Sequence, residues 1–387
     1  MKPEIQRVRS AWESFVRSGE ASPDVVRSPV RRAWERCRTH GVDARAMSPR
    51  WLSPAETVSL LEAKRPLIEA ALPYMHALSV AAGTERHAAM LGDERGIVLD
   101  IVADEETAHR TPGFPTPGSV LSEDIAGANG IGSPLAEDGY AEFVGPEHYI
   151  EGFHVYTCQG LPLRGPEGET VGVLSTSVRR HETAERLHEI LLCAAHGIEA
   201  ELTHRRLTDQ VAGVLKGADG DRRPLEELRQ DVTQLQAAAR LRLERAARLA
   251  TKDLQSTLGL VAAANELIAR YRRHSELWRD LAAGDVSLPR PIDLRARLKE
   301  IAELVSTEAA VRGVTIEVEA GPPVLVTYDP RELTRQVFRL LLRGLEHAVA
   351  GHRRALSLAI EECGASAHVR SLHAPEELTL PLVRGAT

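Results

Sequence analysis

Four side chains with metal-binding or acid–base chemistry lie close together in the middle of the sequence. They are Glu147, His148, His154 and Cys158. Carboxylate, imidazole and thiolate groups are all ligands for iron or zinc, so a metal site is one interpretation of this span. The alternative is structural, with Cys158 as a small buried hydrophobe in a strand and His148 as a hydrogen-bonded loop residue. We favour the structural interpretation and predict neither a metal nor another cofactor.

A glycine-rich segment upstream, SEDIAGANGIGSPLAE at residues 122–137, adds Glu123 and Asn129. Its glycines allow tight turns and close backbone approach, and Asn129 can bond its own backbone or adopt a left-handed conformation. Folded over one face of a sheet, such a segment leaves a pocket for a small ligand. The predicted ligand-binding residues are therefore Glu123, Asn129, Glu147, His148, His154 and Cys158.

Short apolar runs separated by turn residues must position these side chains. The runs GIVLDIVAD, YAEFVG, HVYTCQGLPLRG and ETVGVLSTSV, between residues 96 and 178, are typical of strands. The last two flank a turn-rich tetrapeptide at residues 165–168, which favours a hairpin and an antiparallel sheet. After Arg179 an apolar stripe predicts a helix that closes the domain. The stripe consists of Leu187, Ile190, Leu191, Ala194 and Ile198.

Helices are predicted on both sides of this sheet. Residues 1–80 form a helical lead-in, in which Ser53 is the N-cap of a run from Pro54 to Leu78. Residues 225–283 are dense in Leu, Ala, Glu and Arg, which favours a helical hairpin. Its apolar stripe needs a partner surface, so we predict a homodimer held by this segment.

The C-terminal residues alternate helix and strand patterns. Helices are predicted from Leu294 to Val311 and from Pro330 to Ala350, with strands between and after them. The predicted fold class is α+β, with a helical lead-in, an antiparallel sheet domain, a long helical dimerisation hairpin and a truncated α/β sandwich. The predicted domains are residues 1–80, 81–215, 225–283 and 290–387.

The composition is that of an ordinary globular chain of 387 residues with a formal net charge of -7. No apolar run reaches the length of a membrane-spanning helix, and the first residues lack the apolar core of a signal peptide. The four cysteines are scattered without CxxC spacing, which indicates reduced thiols rather than a disulfide framework. We therefore expect a cytoplasmic protein that does not bind a membrane, and no direct nucleic-acid binding is evident.

Five motifs follow one another in a recognisable order. They are Ser122-Glu123, the run from Ala126 to Gly132, Glu147-His148, Thr157-Cys158, and Gly168 with Gly172-Val173-Leu174. In this order they resemble the GAF-type sensor domain of the acetoin-catabolism family of bacterial enhancer-binding activators. The resemblance covers roughly residues 25–205, including the preceding helix SPVRRAWERCRTHGVD, and it implies a sensor for a small ligand.

The sequence departs from that family in the loop and downstream of the sensor. Ala128 and Gly130 stand where the family usually carries Thr and Ala, which implies a different loop rigidity or ligand. The pattern G-x-x-x-x-G-K-[ST] of the family's ATPase domain does not occur, and no terminal helix-turn-helix is evident. We therefore do not expect a complete activator.

The C-terminal half resembles a sensor histidine kinase. Residues 250–261, ATKDLQSTLGLV, are similar to the phosphoacceptor helix of those kinases, with Lys252 at the histidine position. A protonated ammonium cannot replace an imidazole nucleophile. Leu340 and Gly344 stand where active members carry asparagines that serve Mg-ATP, and no Asp-x-Gly-x-Gly segment follows. We therefore predict a kinase-like module without catalysis, and we expect His274, the nearest downstream imidazole, on the solvated surface.

Several functions remain open at this point. The favoured hypothesis is a non-enzymatic signal transducer, in which ligand binding changes the helical segment and the kinase-like module contacts a protein partner. The second is an active histidine kinase or phosphotransferase of unconventional type. The third is a direct transcription regulator, for which we identify no recognition helix or basic patch. A structural alternative for the C-terminal half is an amphipathic hairpin followed by an α/β fragment.

Overall fold

The computed structural model of the chain describes residues 3–110, 113–217, 223–282, 287–351, 354–363, 366–371 and 377–382. The chain divides into two units. Unit 1 contains residues 1–203 and 236–268, and unit 2 contains residues 204–235 and 269–387. Both combine helices with strands, so the predicted α+β class is confirmed. In the described ranges, no helix is long and apolar enough to cross a membrane.

Four helices precede the main sheet of unit 1. They are α1 (Pro3–Ser18), α2 (Ser28–Thr39), α3 (Pro54–Ala63) and α4 (Arg65–Ala82). Ser53 caps α3 as predicted, since its hydroxyl accepts from the amide of Glu56 and the Glu56 carboxylate accepts from the amide of Ser53. The predicted run to Leu78 is interrupted at Lys64. Pro66 has no N–H to donate to the carbonyl four residues earlier and its ring crowds that carbonyl, so α3 cannot continue through it, whereas the first turn of a new helix tolerates proline.

A five-stranded antiparallel sheet forms the centre of unit 1. Its strands are β2 (His87–Asp93), β3 (Val98–Ala103), β5 (Ala141–Val144), β6 (Thr157–Arg164) and β7 (Thr170–Val178), in the order β3-β2-β7-β6-β5. The β6–β7 hairpin closes as predicted, with the amide of Gly165 donating to the carbonyl of Glu169. Strand β2 is absent from the predicted set. The short strands β1 (Arg50–Trp51) and β4 (Ser119–Val120) pair with each other.

The segments between these strands contain short helical pieces. They are α5 (Glu105–Arg110), α6 (Glu123–Ala126), α7 (Gly132–Glu137) and two 3-10 turns, Gly145–Glu147 and Glu151–Phe153. The glycine-rich segment therefore runs from α6 into α7. It lies over the face of the sheet that carries Cys158, as the sequence predicts.

Helices α1 and α2 share one hydrophobic core with this covered face of the sheet. Trp12 and Trp34 are fully buried in it, together with Phe143 and Tyr149. Each indole nitrogen donates to a main-chain carbonyl, Trp12 to Tyr149 at 2.9 Å and Trp34 to Glu147 at 2.7 Å. A buried indole stabilises its surroundings both by the apolar area of its ring and by the directional hydrogen bond of its N–H group. The lead-in helices thus hold the loops above the sheet.

Three long helices follow the sheet in the chain. They are α8 (His181–Gly217), α9 (Arg223–Leu249) and α10 (Leu254–Ala282). The apolar stripe predicted after Arg179 is buried in α8, from Leu187 to Ile198. Helices α9 and α10 occupy the segment predicted as a helical hairpin, whereas the dimer and the four domain boundaries stay predictions.

The described strands of unit 2 form two small sheets. Strand β8 (Arg290–Asp293) pairs with β10 (Leu325–Tyr328), and β9 (Thr315–Val318), β11 (Ala355–Cys363), β12 (Ser366–Ser371) and β13 (Glu377–Pro381) form the order β13-β12-β11-β9. Helices α11 (Leu294–Val311) and α12 (Pro330–Ala350) have the predicted bounds. The kinase-like type of this unit stays a prediction.

The expected exposure of His274 is wrong. His274 is buried in α10, and Tyr271, Ser275 and Trp278 are buried beside it. Counted from Tyr271, the other three positions follow after three, four and seven residues, so all four lie on one face of the helix. The charged residues next to His274 in the sequence point away from this face, and their charge led to the wrong prediction.

Candidate functional site

The side chain of Asn129 shapes the glycine-rich segment. Its Nδ2 atom donates to the carbonyls of Leu121 (2.8 Å) and Gly127 (2.6 Å), and its Oδ1 atom accepts from the amides of Ile131 (2.8 Å) and Gly132 (2.9 Å). These bonds use both donors and both acceptor positions of the amide. The predicted bonding of Asn129 to its neighbouring backbone is therefore confirmed.

Gly130 allows this segment to lie directly on the strands. A Cβ atom at Gly130 would stand 2.6 Å from Ser175 Oγ and 2.9 Å from Cys158 Cβ. Neither distance leaves room for a methyl group, since packed carbon atoms sit about 3.5–4.0 Å apart. The alanine usual in the resembling family therefore does not fit this packing, which accounts for the glycine found here.

The outer side of the segment is bound to α2 through Glu123. Arg36 contacts the Glu123 carboxylate (Nε to Oε2, 2.5 Å) and the Glu137 carboxylate (2.6 Å), and the Ser133 hydroxyl donates to Glu123 at 2.6 Å. Hydrogen bonds from Arg32 and Arg36 lower the pKa of Glu137. Because its oxygens face α2, Glu123 ties the loop to a helix.

Glu147 has a similar role at the N-terminal end of α2. Arg27 donates to both of its carboxylate oxygens, at 2.8 and 2.5 Å, and the amide of Val144 donates to one of them at 2.8 Å. Two-point contact with a guanidinium fixes a carboxylate in orientation as well as in charge. The two predicted carboxylates are thus each occupied by an arginine of the lead-in.

The imidazoles of His148, which is buried, and His154, which is half-buried, are both neutral. His148 Nδ1 donates to the carbonyl of Gly145 at 2.9 Å, and burial lowers the pKa of His148 to about 3. His154 Nε2 donates to the carbonyl of His148 at 3.2 Å, and its ring stands edge-on to Trp12 with the centroids 4.4 Å apart. Burial also lowers the pKa of His154 to about 4. The predicted loop hydrogen bond of His148 is confirmed.

Cys158 is a buried thiol in β6, as the structural interpretation predicts. Its Sγ atom lies 2.8 Å from the hydroxyl of Ser177 on β7, its cross-strand neighbour. Burial raises the pKa of Cys158 to about 12, so the thiol is protonated at neutral pH. In the described part of the chain, no group of three or more His, Cys, Asp or Glu side chains is arranged to hold a metal ion.

A cavity of about 20 Å³, here called the inner cavity, lies between the glycine-rich segment and the strands. Its walls carry no charged side chain. They are formed by Met90, Phe114, Pro115, Leu121, Asn129, Gly130, Ile131, Phe153, Tyr156, Cys158 and Ser177. Of the six predicted ligand-binding residues, the structure brings Asn129 and Cys158 together here.

A wider depression of about 520 Å³, here called the outer cleft, opens at the surface of unit 1. Glu147 and His154 line this cleft, and so do residues of α1, of β5 and of the start of α8. Glu123 and His148 line neither of these two spaces. The residues of this short span therefore do not share one site. They are divided between the inner cavity, the outer cleft and the packing between the two.

The positions predicted to be degenerate kinase residues are spread over the C-terminal half. Lys252 lies in the connection between α9 and α10, where Asp253 caps α10 by accepting from the amide of Ser256 at 3.0 Å. This corrects the expected placement of Lys252 on a phosphoacceptor helix. Leu340 and Gly344 are buried on α12, and a Cβ at Gly344 would stand 2.9 Å from Leu356 on β11.

The sequence analysis missed several residues that build the site. Met90 belongs to the unpredicted strand β2, and Ser177 reaches Cys158 only through the β6–β7 register. Arg27 and Arg36 lie more than 80 residues from the carboxylates that they bind. The alternation along β6 and β7 is a usable signal for Ser177, because Ser175 and Ser177 share a face.

An antiparallel sheet with a glycine-rich segment folded over an inner cavity defines unit 1 as a GAF-like sensor. The family described as MimR, N-terminal domain, matches residues 3–201, which is just over half of the chain. The chain belongs to this family. The expected relationship to the acetoin-catabolism activators is confirmed for the sensor, and the kinase-like resemblance stays a prediction.

Two relatives and one solved structure illustrate the similarity. The propane 2-monooxygenase operon transcriptional activator MimR of Mycolicibacterium smegmatis is 29% identical over 203 residues, 51% of this chain and 33% of that protein. The acetoin dehydrogenase operon transcriptional activator AcoR of Bacillus subtilis is 24% identical over 193 residues, 49% of this chain and 32% of that protein. The chain thus spans about a third of the length of these relatives. The E. coli DhaR(N)–DhaL complex matches with a TM-score of 0.44 and 16% identity, over 56% of this chain and 68% of that chain.

The neutral state of His148 predicts a pH dependence of stability. Between pH 7 and 4 the unfolded chain protonates this imidazole, whereas the folded chain keeps it neutral until about pH 3, so acid favours unfolding. We expect the urea midpoint of unit 1 to fall over this range, and to fall less in His148→Asn, whose amide can still donate to Gly145. Urea unfolding at several pH values measures the difference. The exposed His76→Asn is the control, and an unchanged pH profile in His148→Asn contradicts the prediction.

Proposed function

We propose that the chain is a ligand-responsive regulator in signal transduction or transcription control, in which unit 1 senses a small molecule. The observation that carries this proposal is the inner cavity beneath the glycine-rich segment of a chain that belongs to a family with transcriptional activators among its members. Both relatives described above are named as operon activators, which supports a regulatory role over an enzymatic one.

The walls of the inner cavity favour a small uncharged ligand. Hydrophobic side chains such as Met90, Ile131 and Phe153 dominate the lining, and a charged group would be costly to desolvate there. The side chain of Asn129 already bonds to its own loop. The Cys158 thiol and the Ser177 hydroxyl are therefore the polar groups that we expect to contact a ligand. A cavity of about 20 Å³ has room for little more than one water, so binding must displace part of the glycine-rich segment that covers it.

This proposal assigns different roles to the six predicted residues. Asn129 and Cys158 face the ligand, while the other four hold the loops that must respond to it. Displacing the glycine-rich segment then acts on the contact of Glu123 with Arg36 of α2. A ligand shifts such an equilibrium only by its difference in affinity for the two arrangements.

Thermal unfolding with defined probes tests the sensor. We expect the uncharged probes acetoin, acetone and 2-propanol to raise the melting temperature of unit 1, and acetate at equal concentration to leave it unchanged. Ser177→Ala and Cys158→Ser should weaken binding by roughly two- to tenfold, since each alters one hydrogen-bonding group. The control is Thr176→Ala, which changes the neighbouring buried residue on the opposite face of β7. Equal effects of acetate, or of Thr176→Ala, count against the cavity as the ligand site.

We further propose a homodimer held by the segment 225–283. Helices α9 and α10 expose large apolar side chains, with Leu241 67%, Leu254 54% and Leu258 40% accessible. Exposed leucines on two consecutive helices provide the stripe that a second copy can bury.

Sedimentation equilibrium of the full chain tests the dimer. We expect the wild type to sediment as a dimer and Leu241→Glu/Leu258→Glu to sediment as a monomer, because buried like charges oppose association. Val58→Glu is the matched control, since Val58 is a similarly exposed apolar residue of α3. Dimers that persist in the double variant would move the interface to another surface.

The C-terminal region is proposed to relay the signal by contact with a protein partner, as a kinase-like module without catalysis. Supporting this, Leu340 offers no metal ligand, and Gly344 packs against Leu356 without space for an asparagine. The alternative, an active histidine kinase or phosphotransferase, requires a phosphate acceptor and Mg-ATP ligands at other positions.

Nucleotide binding and labelling separate these two proposals. We expect no saturable Mg-ATP binding by calorimetry and no label from radiolabelled ATP on the wild type. Lys252→His should remain unlabelled as well, because it restores an acceptor without a phosphate donor site. Label on either protein, or saturable ATP binding, promotes the active kinase.

A further inference from the structure

Tyr156 separates the two spaces of unit 1. Among the residues described, it is the one that lines both the inner cavity and the outer cleft. Its side chain is buried, and Phe114 packs near its ring with centroids 5.9 Å apart. The thiol of Cys158 lies on the cavity side of this ring, and Val155 is exposed on the cleft side.

Arg179 holds the Tyr156 ring from the cleft side. Its guanidinium carbon lies 4.3 Å from the ring centroid, and one of its terminal nitrogens donates to the Tyr156 hydroxyl at 3.3 Å. No carboxylate in the described part of the chain pairs with Arg179, so the aromatic ring is its main partner. A single cation–π contact is a weak interaction, so it favours this position of the ring but can be broken by thermal motion.

The backbone of Tyr156 is held independently of its side chain. The amide of Tyr156 donates to the carbonyl of Phe153 at 3.0 Å, and its carbonyl accepts from the amide of Gly145 at 2.8 Å. Rotation of the side chain keeps both bonds. In the opposite wall, the four hydrogen bonds of Asn129 hold the shape of the glycine-rich segment.

We propose that Tyr156 is the gate between the outer cleft and the inner cavity, and that Arg179 is the latch that keeps it closed. Small uncharged molecules enter from the cleft when Arg179 swings towards solvent and the ring rotates. The identity of the ligand rests on the proposed sensor function, whereas the gate itself is tested without any ligand.

The buried thiol of Cys158 reports the opening of the gate. The probe is methyl methanethiosulfonate, a small uncharged thiol reagent, and peptide mass spectrometry of the full chain gives the labelling rate of each cysteine. We expect Arg179→Ala and Tyr156→Ala to accelerate labelling of Cys158 by roughly tenfold or more, as a lost cation–π contact and hydrogen bond imply. Tyr156→Phe keeps the ring and loses only the hydroxyl bond, so it should accelerate labelling a few-fold.

Two controls distinguish the gate from general loosening. Cys37 and Cys193 are also fully buried in unit 1, and their labelling rates should not change. Arg180→Ala removes the neighbouring arginine of the cleft, which pairs with Glu85 instead, and should label like the wild type. Unchanged Cys158 labelling in the Arg179 and Tyr156 variants overturns the proposal, and so does equal acceleration of Cys37 and Cys158.

Ligand kinetics provide the second arm of the test. For any probe that binds, Arg179→Ala should raise the association and dissociation rates together and leave the dissociation constant within about twofold, because a gate changes the barrier rather than the bound state. If no probe binds but Cys158 labelling is selectively accelerated, the gate stands and the proposed ligand class fails. Binding with rates unchanged in Arg179→Ala overturns the gate.

Discussion

The side-chain amide of Asn129 is the constraint on which the sensor depends. It closes the chain from Leu121 to Gly132, here called the roof, by bonding two of its carbonyls and two of its amides. Leaving one buried polar group unpaired costs roughly 1–3 kcal/mol, so the four bonds favour this loop shape over its alternatives. The position of Gly130 on the strands, and of Ser133 beside Glu123, follows from that shape.

The roof is also the point where the sheet and the lead-in helices meet. Its inner surface supplies a wall of the cavity, and its outer surface carries the Glu123 carboxylate, which Arg36 binds. In the proposed function, movement of the roof therefore changes the geometry of the Glu123–Arg36 ion pair. Partly buried guanidinium–carboxylate pairs are sensitive to such changes, because their strength depends on direction and on low solvent access.

The sequence predicts the elements whose pattern is local. The Ser53 cap, the β6–β7 hairpin and the bounds of α12 follow from a capping box, a glycine turn and an Asp-Pro start. Strand β2 escapes prediction because HAAMLGD contains no β-branched residue and is buried on both faces, which removes the alternation that marks a strand.

The site is less predictable than the elements, for a physical reason. The contacts that define it join residues far apart in the chain, such as Cys158 with Ser177 and Arg27 with Glu147. These depend on strand register and on helix docking, neither of which a single sequence encodes in local spacing. The sequence did identify His148 as a loop residue, but it placed His154 at the start of a strand that begins only at Thr157. It also could not separate side chains that face a cavity from those that pack beside it.

The shared core of the lead-in and the sheet limits how this sensor can be recombined with other proteins. Trp12 and Trp34 fill the space above the loops and donate to their carbonyls, so a crossover placed between α4 and β2 would leave two ring-sized hollows open to water. Exposed apolar surface of that size favours aggregation over folding of the isolated fragment. A fusion protein that contains this sensor must therefore include the whole stretch from α1 to the start of α8, because the helices in front of the sheet complete its core.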